Sequence, residues 1–198
     1  MAGRNLRASL ALQQLVPVLS DAAHPAVLDL GCVWQSTVTF FTRLGCKVYT
    51  EDLFQSLQQA LAETTPQAPP LGERFLKAAL EYPAESFRAI LAWDLVDYLP
   101  EELVEPLAAR FHALLEPGGA FFGLFHNRPE ETSFTRYRVL DNLTLELLPA
   151  RPAGGPGSLP LRLVRTYPNR ALLNLFSAFR TSRTFVGRDN LRELLLLK

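Results

Sequence analysis

Apolar residues Leu6, Leu10, Leu12, Leu15 and Leu19 recur roughly at helical spacing. They predict a helix over 4–20 within an N-terminal lead-in of residues 1–25, ended by the turn-forming run from Asp21 to Pro25. AVLDLG at 26–31 then reads as a short buried strand. Ser36 can cap a second helix that places Val38, Phe41 and Leu44 on one face before Gly45 closes it. KVYTED at 47–52 is β-branched and aromatic and predicts a second strand, followed by a helix over 53–63. The proline-rich TPQAPPLG at 65–72 is a loop. ERFLKAALEYP at 73–83 reads as a helix, because Phe75, Leu76, Ala79 and Leu80 share a face. FRAILAWD at 87–94 is a continuous apolar run suited to a central strand. PEELVEPLAARFHALL at 100–115 follows as a helix with a kink expected at Pro106, and PGG at 117–119 turns the chain into the strand AFFGLFHN.

Strand and helix alternating in this way argue for parallel strands joined by crossover helices, an α/β fold. Beyond residue 127 the pattern changes. RYRVLDNLTLELLPAR at 136–151 and PLRLVRTYP at 160–168 predict two or more antiparallel strands joined by PAGGPGS at 152–158, so residues 128–168 form a small β insertion or lid. NRALLNLFSAF at 169–179 is a helix, and RTSRTFV and RELLLLK, joined by the turn GRDN, make a closing hairpin over 181–198. At 198 residues the chain suits a single domain spanning 1–198.

Composition changes this picture little. The longest apolar runs fall far short of the ~20 residues a membrane span needs, so no membrane partner is expected. Two arginines precede the apolar stretch near the N-terminus, but Gln13 and Gln14 interrupt it, which favours an amphipathic helix over a signal peptide. Cys32 and Cys46 offer neither a disulfide framework nor a zinc site, and a cytoplasmic location fits. His24, His112 and His126 are far apart, so no metal is expected; His126, at a strand end, is the one that should open onto a crevice. The net charge of zero is divided unevenly. Residues 1–126 hold 8 Lys+Arg against 14 Asp+Glu, and residues 127–198 hold 12 against 6. The favoured expectation is that the two halves attract each other; an anionic partner such as a nucleic-acid backbone is the weaker one.

Four segments carry a family likeness. VLDLG at 27–31, EDL at 51–53, LAWDLVDYL at 91–99 and LLEPGGAFF at 114–122 follow in the order and spacing of the motifs of class I S-adenosylmethionine-dependent methyltransferases. Over most of residues 26–126 the chain therefore resembles that family. The resemblance implies a Rossmann-like methyltransferase sheet, mostly parallel, with a C-terminal antiparallel hairpin. It implies S-adenosylmethionine as cofactor, with Asp29, Gly31, Glu51, Asp52 and Asp94 as the residues that would hold it. A dinucleotide-binding fold would want three glycines after the first strand, and only Gly31 is there.

The chain also departs from the family. The loop reads DLGCVWQS, with Val33 and Gln35 at the two later glycine positions and Trp34 between them. Side chains there are expected to fill part of the cofactor crevice. Lys77 falls near the position where the family often offers an acid to the adenine, and the third strand is expected to be short or absent. No catalytic residue can be named. Tyr137 and Tyr167 are aromatic residues that a lid could bring to a substrate. Two functions follow. The favoured one is a degenerate, non-catalytic relative acting as an interaction or regulatory module with a protein partner. The alternative is an active transferase acting on an unknown small-molecule or protein methyl acceptor through an altered cofactor loop.

Overall fold

The computed structural model describes residues 5–62, 69–129, 134–149, 162–187 and 189–198, without the side chains of 77–79. Its main sheet has six strands, β2 (Ala26–Asp29), β3 (Lys47–Thr50), β4 (Phe87–Trp93), β5 (Leu115–His126), β8 (Thr181–Val186) and β9 (Leu191–Leu197). Their order is β3-β2-β4-β5-β9-β8. The first four are parallel, and β9 pairs antiparallel with both β5 and β8. β2 has β3 on one side and β4 on the other, so the chain reverses direction across the sheet there. Such a switch point opens a crevice at the carboxyl ends of the strands.

Strand alternation builds two cores. Leu28, Ile90, Phe121 and Phe125 face one side, against α3 (Leu53–Ala62), α4 (Leu71–Ala79) and α5 (Glu101–Leu114) and, further along, α6 (Asn169–Leu175). Val27, Ala89, Leu91 and Phe122 face the other, against α1 (Leu10–Ser20) and α2 (Gln35–Arg43). Successive side chains of a strand point to opposite faces, which is why these runs are apolar throughout and not alternating. No strand is seen between α3 and β4 among the described residues, where the third strand was expected to be short or absent; α4 stands there instead.

A second sheet, β1-β7-β6, is built from β1 (Asn5–Ala8), β6 (Thr135–Leu140) and β7 (Thr144–Pro149), all antiparallel. It corrects the expected N-terminal helix over 4–20. Helix α1 starts only at Leu10, where the Ser9 hydroxyl accepts the N–H of Leu12. Residues 5–8 extend because Arg7 is held by Glu193 and Asp189, and their backbone pairs with β7. The insertion is also rearranged. The described part of the run 136–151, residues 136–149, holds two antiparallel strands in a hairpin, turned at Asp141 to Leu143, with Leu143 at φ +58°. The described part of the predicted strand at 160–168, residues 162–168, is not a strand, and 152–158 lies outside the described residues.

PGG is not a separate turn either. β5 runs through it as a bulge, since Phe87 pairs with Leu115 and Ala89 with Ala120, and Gly118 takes φ +77° to absorb the extra residues.

Candidate functional site

The crevice lies at the carboxyl ends of β2, β3 and β4, where Asp29, Glu51 and Asp94 sit on neighbouring parallel strands or directly after them. Each is engaged by the protein itself. Asp29 is buried, and its Oδ1 accepts the backbone N–H of Gly31 at 3.0 Å and the indole N–H of Trp93 at 2.7 Å. The Trp93 ring lies against Gly31 so closely that a Cβ on the glycine would fall 2.7 Å from Nε1. Glu51 accepts the hydroxyl proton of Tyr82 at 2.6 Å. Asp52 caps α3 by accepting the N–H of Gln55, and the same oxygen takes the Arg136 guanidinium at 2.9 Å. Asp94 is fully buried and accepts the Tyr137 hydroxyl at 2.8 Å.

Three consecutive residues of β6 supply much of this. Arg136 reaches Asp52 and lies over the rings of Phe54 and Phe134. Tyr137 stacks on Trp93 with ring centroids 5.7 Å apart and planes 8° from parallel. Arg138 bridges Glu146 on β7 and covers the Trp34 ring. Alternation puts the two arginines on one face and the tyrosine on the other, so the strand holds the mouth of the crevice with both. The Val139 N–H donates to Thr37 Oγ1 on α2 and fixes the strand in place.

The loop residues expected to fill the crevice lie elsewhere. Val33 is 64% exposed and Gln35 turns to Thr39 on its own helix, so neither fills the crevice. Trp34 is half-buried beneath Arg138. The residue pressed against Gly31 is Trp93, held at φ +52°, a backbone region that non-glycine residues rarely occupy and that costs of order 1–3 kcal/mol when local packing enforces it.

Behind Asp94 lies a buried polar cluster. Asp97, on the 3-10 turn Leu95–Tyr98, accepts both the backbone N–H of His126 at 2.7 Å and its Nδ1 at 2.9 Å. Nε2 of His126 lies 3.9 Å from Asp94. His126 does not open onto the crevice; it is only 5% exposed. Arg192 faces Asp97 from β9 and donates to the carbonyl of Tyr167. Burial raises the Asp97 carboxyl, against the hydrogen bonds and charge of His126. The proximity of Asp97, Arg192 and Tyr167 had no sequence signal, because the pairing runs across three elements.

Burial pushes the Asp29 carboxyl from 3.8 up to about 6, with the Trp93 and Gly31 hydrogen bonds working against it. Burial takes Asp94 up to about 7, opposed by the charge of His126 and by the Tyr137 hydroxyl. A carboxyl raised on folding binds its proton more tightly in the folded state. Its contribution is complete below the unfolded pKa near 4 and is lost as pH rises through 6 to 7, of order a few kcal/mol for such shifts. Melting temperature is therefore expected to fall between pH 5 and 7.5. Asp94→Asn, whose amide oxygen still accepts from Tyr137, should flatten that fall. Thermal melts at constant ionic strength check it, and equal slopes for variant and wild type would contradict it.

The arginines of the C-terminal third divide between the two halves. Arg136 pairs with Asp52, Arg165 pairs with Glu101 and Arg183 donates to Gln14, all in residues 1–126, whereas Arg138 pairs with Glu146 in the C-terminal third. Cys32 and Cys46 are both free thiols. Among the described residues no group of three or more His, Cys, Asp or Glu side chains could hold a metal ion, and no helix is long and apolar enough to cross a membrane.

No family model and no curated protein matches the sequence. Solved structures do. An S-adenosylmethionine-dependent methyltransferase from Methanosarcina mazei superposes with a TM-score of 0.56 at 12% identity, over 96% of this chain and 97% of its own. The chain has the class I S-adenosylmethionine-dependent methyltransferase fold. A methyltransferase from Archaeoglobus fulgidus gives a TM-score of 0.55 at 12% identity, over 94% and 91% of the two chains. One from Mesorhizobium loti gives 0.52 at 14%, over 96% and 98%. Set on this methyltransferase fold, Asp29, Gly31, Glu51, Asp52 and Asp94 stand at the crevice, where one oxygen of each acid is engaged by Trp93, Tyr82, Arg136 or Tyr137 and the Trp93 ring lies against the glycine.

Proposed function

We propose that this chain keeps the class I methyltransferase fold without the cofactor chemistry and serves as an interaction or regulatory module for a protein partner. The observation that carries the reading is the seating of β6. Arg136 and Tyr137 each bond one oxygen of Asp52 and Asp94, two of the acids that the family resemblance assigns to the cofactor. A ligand competing for these acids would have to break a charge-assisted hydrogen bond to Asp52 and uncover the buried Asp94 carboxyl. Trp93 over Gly31 closes the remaining approach to Asp29. Fold alone does not carry chemistry, and methyl transfer rests on alignment of a bound cofactor, whose expected holding groups are engaged here by the protein's own side chains.

Isothermal titration of the purified chain with S-adenosylmethionine, and separately with its demethylated product, tests the reading. No saturable heat is expected with either ligand up to about 1 mM, which corresponds to a binding free energy weaker than about −4 kcal/mol. Saturable binding in the micromolar range would overturn it and would favour the active transferase with an altered loop.

A further inference from the structure

A groove of about 900 Å³ opens between α5 and α6, together with residues that flank α6 on both sides. Its floor is apolar, made by Val104 and Ala108 of α5 and by Leu175, Phe176 and Phe179 across from them. Its charge lies almost wholly on one side. Glu101, Glu102 and Glu105 of α5 line it, all exposed, against a single cation, Arg165. Arg165 is already paired with Glu101 at 3.3 Å, which leaves Glu102 and Glu105 without an ion-pair partner among the described residues. Pro106 lines the same rim and has no N–H to give the Glu102 carbonyl, so a helix acceptor stands there without its usual donor. The groove thus joins an apolar floor to a rim of uncompensated acceptors.

We infer that this groove receives a basic amphipathic helix of a protein partner, its apolar stripe on the floor and its Lys or Arg side chains against Glu102 and Glu105. An apolar floor set between two helices fits the apolar stripe of a third. The rim selects the sign of the partner, because two unpaired carboxylates and a carbonyl ask for positively charged donors. Glu102 and Glu105 are three positions apart on one helix and so are neighbours on its surface, which lets two cations on one face of the partner meet both. A small cation would leave the apolar floor uncovered. A second copy docked groove to groove would bring two more unpaired carboxylates and no free cation of its own groove. The chain as a whole has a net charge of zero, so selection for a basic partner comes from this local excess. The inference gives a place to the protein partner of the proposed function and rests on that part of it alone. The groove contains none of Asp29, Gly31, Glu51, Asp52 and Asp94, so the cofactor titration and the test of the groove can fail separately.

The test is fluorescence anisotropy of a labelled amphipathic peptide of leucine and lysine, about 14 residues and roughly 21 Å long as a helix, titrated with the full chain. Two reference peptides accompany it, one with glutamate for every lysine and one with serine for every leucine. The leucine-lysine peptide is expected to bind with a Kd below about 100 μM at ~50 mM salt, and both references at least about tenfold more weakly. Glu102→Lys/Glu105→Lys should weaken the leucine-lysine peptide at least about tenfold and strengthen the glutamate peptide, a gain that a misfolded variant could not give. Asp21→Lys/Asp141→Lys makes the same charge change at two exposed carboxylates outside the groove and should leave the affinity within about twofold. Absence of binding by the wild type at about 1 mM would overturn the inference. So would an equal loss in the two charge-reversed variants, or equal binding of the serine-lysine peptide.

Discussion

Tyr137→Ala should cost about 4 kcal/mol of stability and lower the melting temperature by roughly 8–16 °C. The side chain is 5% exposed, lies flat on Trp93 and gives its hydroxyl proton to Asp94. Truncating a buried aromatic residue to alanine typically removes about 3–5 kcal/mol of packing. Here it also strips the partner from a carboxylate whose other oxygen, Oδ1, already has none among the described residues. A buried acceptor left unmatched costs a further 1–3 kcal/mol or so, partly offset because the raised pKa of Asp94 lets it take up a proton. Tyr137→Phe keeps the stack and loses only the hydroxyl, so it should cost about 1–2 kcal/mol. Chemical denaturation of the three proteins separates the two contributions. If Tyr137→Ala cost less than about 1 kcal/mol, β6 would not be seated on the crevice as described, and the proposed loss of cofactor binding would lose its cause.

Much of the main sheet was legible because its signals are local. VLDLG, KVYT and FRAILAW are apolar runs too short for helices, and the helices between them leave parallel pairing as the economical topology. The replacement of the third strand by α4 was legible for the same reason, since Phe75, Leu76, Ala79 and Leu80 keep helical spacing. β1 was misread because Leu6 happens to fall in phase with Leu10. What decides its conformation is Arg7 reaching Glu193, 186 positions away, and no local period carries that. The hairpin β6-β7 hid inside one apolar run because its turn is short, with Asp141 and Asn142 as its only local markers.

The crevice was legible by position and not by partner. Asp29, Glu51 and Asp94 could be placed at strand ends from the order of the motifs. That Glu51 would bond Tyr82, Asp52 would bond Arg136 and Asp29 would bond Trp93 depends on pairs 31, 84 and 64 residues apart. The volume argument assigned an obstruction to Val33, Trp34 and Gln35, the residues nearest in sequence. Packing instead sets Trp93 of the neighbouring strand against Gly31. Restoring glycine at 33 and 35 would therefore leave the ring over Gly31 untouched.

That ring gives the second large effect. Gly31→Ala should destabilise the protein by roughly 2–4 kcal/mol, even though it adds one methyl group. The new Cβ would lie 2.7 Å from Trp93 Nε1 and 2.8 Å from Cδ1, distances that real contacts do not sustain. The backbone of residue 31 cannot retreat easily, because its N–H is held by Asp29 and Leu30 is bonded to Leu91 of β4. The indole would have to move instead, and it is confined by Phe122 at 5.8 Å on one side and Tyr137 at 5.7 Å on another. Moving it breaks the 2.7 Å bond to Asp29 and leaves that carboxylate buried with only the Gly31 amide. The cost should accordingly be coupled to the tryptophan. In a Trp93→Leu background, where no ring meets the methyl group, the same alanine should cost less than about 1 kcal/mol, giving a coupling of 1–3 kcal/mol in a double-mutant cycle. Equal costs in the two backgrounds would mean that Trp93 does not press on Gly31, and the crevice would then have to be regarded as open at the one glycine the family motif retains.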